Sequence, residues 1–165
     1  MGVRSSTDVE FTDFVHAAGV RLERAAFLLT GDHHLAEDLT QATYAKVYAA
    51  WRRVDGDPLA YARRTLLNTY ISHRRLRRNT ERPVDLLDDT AAREVDPSER
   101  IDVLDALATL SALDRAVVVL RYWEDRSVAD TAIDLGISAD VVRTRSRRAL
   151  GRLRDILTIT ERTPS

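Results

Sequence analysis

Cysteine is absent from this 165-residue chain, so it has no disulfide framework and no Cys-based zinc site. No apolar run approaches the ~20 residues needed to span a bilayer, so membrane insertion is not expected. The opening stretch, MGVRSSTDVEF, lacks the basic-then-apolar order of a secretory signal. Together these absences favour the cytoplasm. No glycine-rich phosphate loop, Ser-His-Asp set, repeat or low-complexity tract stands out, and no cofactor is implied. Strand alternation is missing too. What is present is helical periodicity in almost every segment, with 44% hydrophobic residues to build a core. The fold expected is all-α.

Two small helical domains joined by a flexible acidic linker account for the pattern. In the first, residues 8–80, Phe11, Phe14, Val15, Ala18, Leu22, Ala25, Ala26 and Leu29 recur at helical steps. Gly31 ends that helix and Asp32 caps a second, expected over about residues 33–51 and packing through Leu35, Leu39, Ala42, Val47 and Trp51. Asp57-Pro58 opens a third, with Leu59, Ala62, Leu66 and Thr69 or Tyr70 inward. Residues 81–96 lose periodicity and read as the linker. The second domain, residues 97–158, starts at Asp96-Pro97 and buries Ile101, Leu104, Leu107 and Leu110. Ser111 with Asp114 and Ser127 with Asp130 form capping-box patterns before two further helices.

The net charge of −1 conceals a strong segregation. From Arg63 to Arg82 there are seven arginines against one acid, Glu81; from Pro83 to Arg100 acids dominate. Six arginines, Arg143, Arg145, Arg147, Arg148, Arg152 and Arg154, then follow with no acid among them. They lie on the second half of a helix-turn-helix pattern, in which Ala132 allows a close crossing, Gly136 the turn, and Ile137 the plug beneath it. Val142, Ser146, Ala149, Leu150 and Leu153 face inward. Arg143, Thr144, Arg147 and Arg148 then face out near the N-terminal half, the part of such a helix that enters the major groove. Arginine grips guanine by two hydrogen bonds; threonine meets a thymine methyl or a phosphate. Arg145, Arg152 and Arg154 suit phosphates or acids. A solvated arginine-rich helix is the bland alternative, but such helices interleave acids at four-residue spacing.

On the third helix, Arg64, Asn68, Ser72 and Arg75 form one polar stripe at turn-by-turn spacing, an asparagine for a base edge with arginines for the backbone. Trp51, Tyr61 and Tyr70 could stack on bases or pack in the core. The second helix exposes Glu37, Asp38, Gln41 and Lys46, which is either a solvated face or a docking face for a basic partner.

The ordered motifs Phe11–Ala17, Leu29–Asp32, Ala36–Gln41, Ala50–Val54, Asn68–Ser72, Arg115–Asp125, Ser127–Ala132 and Arg148–Leu150 resemble a bacterial extracytoplasmic-function sigma factor of the sigma-E-like actinobacterial branch. The resemblance implies promoter-specific transcription initiation with core RNA polymerase and promoter DNA as partners, and it leaves room for an anti-sigma factor. It assigns Glu37, Asp38 and Gln41 to the polymerase, and Arg64, Asn68, Ser72 and Arg75 to melting and reading the −10 element. Arg143, Thr144, Arg147 and Arg148 fall to the −35 element, and the acidic linker to the polymerase channels. Three positions depart from the family pattern: Thr40 replaces an aliphatic residue, Ser111 a proline, and Ala139-Asp140-Val141 a common Val-Gly-Thr. A regulator that binds a palindrome as a dimer, without polymerase, is the competing reading. An enzyme is a third, resting on a metal held by His33, His34, Glu37 and Asp38, which lack a second ligand cluster.

Overall fold

The computed structural model describes residues 2, 4–81 and 103–162, and every element among them is helical. All of the acidic linker beyond Glu81, the Asp96-Pro97 helix start and Ile101 lie outside the described residues.

Helix α1 (Ser6–Thr30) begins at a reciprocal cap: Ser5 Oγ accepts from Asp8 N–H at 3.2 Å, and the Asp8 carboxylate accepts from Ser5 N–H at 3.3 Å. Asp8 also accepts from the Tyr48 hydroxyl at 2.6 Å, which ties the start of α1 to α2 and holds this carboxyl below its ordinary pKa. Gly31 closes α1 in the left-handed region, φ 69°, with its N–H on Phe27 O at 2.7 Å. Asp32 at once caps α2 (His33–Ala50) through Leu35 N–H at 2.9 Å. A 3₁₀ turn, Trp51–Arg53, leads to α3 (Pro58–Glu81). Leu22, Ala26, Leu29, Leu39, Val47, Ala62, Leu66 and Leu67 fill the space between the three helices. Trp51 packs edge-on against Phe11 at 5.4 Å and tilted against Phe14 at 5.3 Å, so it is a core residue. Tyr70 is buried with it, and Tyr61 lies half-buried against the same core.

Two expected core positions of α2 are corrected. Leu35 stands 41% exposed and Ala42 is only half-buried. Ala36, Thr40, Thr43 and Tyr44 take the inward face instead. The threonines can do so because each hydroxyl donates back one turn, Thr40 to Ala36 O and Thr43 to Leu39 O, both at 2.8 Å.

The remaining helices are α4 (Val103–Ala108), α5 (Ala112–Val118), α6 (Val128–Leu135) and α7 (Ala139–Arg162). A π-helical turn, Val119–Trp123, extends α5, and Asp125 follows at φ 52°. Ala106, Leu107, Leu110, Val118, Ala149 and Leu153 form a second core. This half does not stand apart from the first. Ala116, Val119 and Leu120 belong to the core of α1 and α3, and Leu28 touches both clusters.

Candidate nucleic-acid interface

The α6–α7 turn forms as its residues require. Gly136 takes φ 65°, and Ser138 Oγ accepts from Val141 N–H at 3.2 Å to start α7. On α7, Val142, Ser146, Ala149 and Leu153 are buried, while Arg143, Thr144, Arg147 and Arg148 are exposed. On α6, Thr131 and Asp134 are the buried residues and Ala132 is only half-buried, as is Ile137 in the turn that follows.

The arginines of α7 are less naked than their run suggests. Arg143 donates to Asp140 at 2.8 Å, one turn earlier on the same helix. Arg148 reaches both oxygens of Asp114, at 3.1 and 3.3 Å, and Arg145 donates to the same carboxylate at 2.8 Å. Asp114 is therefore only half of a capping box. Its N–H donates to Ser111 Oγ at 3.2 Å, but its carboxylate turns away to α7. Ser127 and Asp130 repeat this, with the Asp130 N–H on Ser127 Oγ at 3.0 Å and its carboxylate 3.9 Å from Arg126. The role of Asp114 was hidden in the sequence because the capping pattern already explained it. The inward-leaning Arg145, between buried Val142 and Ser146, was the one signal for it.

On α3, Asn68, Ser72 and Arg75 are exposed and Arg64 is half-buried, so the polar stripe is open to a ligand. Of the two readings open for Tyr70, core packing holds: at 3% exposure it cannot stack on a base in this arrangement. Lys46 Nζ braces the back of α3 by donating to Thr69 Oγ1 at 3.0 Å. On α2, Glu37, Asp38 and Gln41 are exposed, whereas Thr40 is 2% exposed and faces the core. The departure at Thr40 therefore lies beneath this surface. His33 stacks on Phe27, with ring centroids 4.4 Å apart, as a packing residue. Among the described residues no three histidine, cysteine or acidic side chains gather as a metal site, and no helix is long and apolar enough to cross a membrane.

Three surfaces thus share one helical body: an acidic face on α2, a mixed polar stripe on α3 and an arginine face on α7. Sigma-70 region 2 matches residues 14–80, and Sigma-70 region 4 matches residues 106–155. The RNA polymerase sigma-E factor of Streptomyces coelicolor is 36% identical over 156 residues, covering 90% of this chain and 86% of that protein. The chain belongs to the RNA polymerase sigma factors of the ECF family. Another relative, ECF RNA polymerase sigma factor SigL of Mycobacterium tuberculosis, is 37% identical over 145 residues, spanning 81% of this chain and 80% of its own. In fold, the sigma factor resembles RpoE of Bartonella quintana, solved in complex with the anti-sigma factor NepR. The TM-score is 0.70 with 24% identity, over 90% of this chain and 97% of that one. The α2 and α3 surfaces of this sigma factor fall within the region 2 match, and the α7 surface within the region 4 match.

Proposed function

We propose that this ECF sigma factor binds core RNA polymerase and directs promoter-specific transcription initiation from the cytoplasm, without catalysis of its own. Glu37, Asp38 and Gln41 form the polymerase-docking face. Arg64, Asn68, Ser72 and Arg75 melt and read the −10 element, Asn68 holding an extruded base. Arg143, Thr144, Arg147 and Arg148 read the −35 element in the major groove. We assign residues 8–80 and 97–158 to these two tasks, with the acidic segment 81–96 as the tether.

The observation that carries the reading is the exposure of an acidic face and a polar stripe in the segment matching region 2, together with an arginine face on a helix-turn-helix matching region 4. Run-off transcription with purified core polymerase tests it. The expected result is discrete start sites that appear only when this chain is added. Failure to assemble with core enzyme, or binding to a palindrome as a dimer without it, would replace this reading with that of a polymerase-independent regulator.

A further inference from the structure

The arginines assigned to the −35 element stand in unlike settings. Arg147 is exposed, and its guanidinium has no carboxylate partner among the described residues. Arg143 pairs with Asp140 at 2.8 Å, but that partner is 95% exposed and lies on the same helix, so water and salt screen the pair. Arg148 is held from another element. Its Nη2 meets both oxygens of Asp114, at 3.1 and 3.3 Å.

Asp114 is built as a fixed post for that contact. Its side chain is 10% exposed, and its N–H is anchored on Ser111 Oγ at 3.2 Å. Arg145, itself mostly buried, donates to Oδ1 at 2.8 Å and so holds the carboxylate from the protein side. The residue stands in the first turn of α5, whose Ala116, Val117 and Val118 are fully buried, and α5 packs on α7. A carboxylate at this position suits a reciprocal cap, yet it turns from the cap to α7. Arg148 stays 59% exposed beyond the contact, and its Nε and Nη1 take no partner among the described residues. The guanidinium is therefore fixed at one nitrogen and open at two.

We propose that Asp114 is a positioning residue for Arg148, aiming its open nitrogens at the edge of one base pair. This rests on the sigma-factor reading of α7. An untethered arginine is drawn to the phosphates, whose contacts carry no sequence information. A tethered one has already given up the freedom that binding at the groove would cost it. It also cannot swing to a phosphate without leaving Asp114, so its open N–H groups are spent on base acceptors. Arg143, with its exposed partner, has no such restraint.

The probe is a duplex pool randomised over the −35 element, selected by the full chain assembled with core polymerase and then sequenced. Arg148→Ala first identifies the base pair whose preference depends on Arg148. Asp114→Asn should flatten the preference at that same pair about threefold to tenfold, the ordering cost of one long side chain, and spare the pair read by Arg147. Combined with Arg148→Ala, it should flatten that pair no further. A purely structural aspartate would instead weaken every position, with or without Arg148. Side-chain NMR of the unsubstituted free chain needs no variant to fold. There the Arg148 Nε–H should be rigid, with an order parameter near about 0.85, and the Arg147 Nε–H mobile, below about 0.6. An Arg148 as mobile as Arg147, or a preference that survives Asp114→Asn yet is lost in Arg148→Ala, would overturn the proposal and leave the sigma reading standing. A pool from which no sequence is selected would sink the −35 assignment and the positioning role together.

Discussion

Asp114 meets three demands within one residue: its N–H caps α5 through Ser111, and its carboxylate receives Arg145 and Arg148. Asp114→Asn removes a mostly buried carboxylate that two arginines share, so urea unfolding should show a loss of about 1–3 kcal/mol. Thr40 makes the opposite case. Its hydroxyl bonds only to a carbonyl of its own helix, and its side chain faces the core. Thr40→Val should change stability by less than ~1 kcal/mol and leave the affinity for core polymerase unchanged, as a pull-down titration would show. Asp38→Arg alters the exposed acidic face instead and should weaken that same association at least tenfold, with little change in unfolding. At this scale the exposure of the proposed site residues, half-buried Arg64 apart, was legible from spacing, since helical periodicity decides which side faces out. Partnerships across the fold were not. Nothing near Asp114 in sequence announces two arginines some thirty residues away.

Among the elements, α7 carries the proposed contact with a phosphate backbone. Arg143, Arg145 and Arg148 each already hold a carboxylate, so an encounter with DNA exchanges one anion for another and releases fewer counterions than six bare arginines would. The salt slope for a −35 duplex should therefore lie near −3, at about −0.9 per new phosphate contact, and Asp114→Asn should steepen it by one to two. Arg147→Ala should cost about 1–3 kcal/mol at a −35 site and relax its base preference, as competition binding would show. On α3, Asn68→Ala should slow promoter opening, followed by permanganate footprinting, while −35 docking is retained. Helix starts were readable because Asp32, Ser111, Ser127 and Ser138 all cap as their side chains allow. The π-helical turn at Val119–Trp123 was not, since AVVVLRYW is equally apolar in either winding. Leu35 misled for a related reason: a leucine at helical spacing gives no sign that buried threonines will displace it.

For the whole molecule, the shared core is what the sequence concealed. A change of composition at residues 81–96 argues for two independent units, whereas the apolar run from Ala116 to Leu120 meets one core on one side and the other core on the other. Such an all-round apolar helix is a signal of burial on every face. Because the halves share that core, they should unfold together. Trp51 reports the first and Trp123 the second, so single-tryptophan variants should give coincident urea midpoints. Separate transitions would show that each half stands alone.

A seam made chiefly of oily contact also has a thermal character. The attraction between such surfaces fades as water cools. Chilling towards freezing should therefore weaken both halves in step, and the urea midpoints read at Trp51 and Trp123 should fall together.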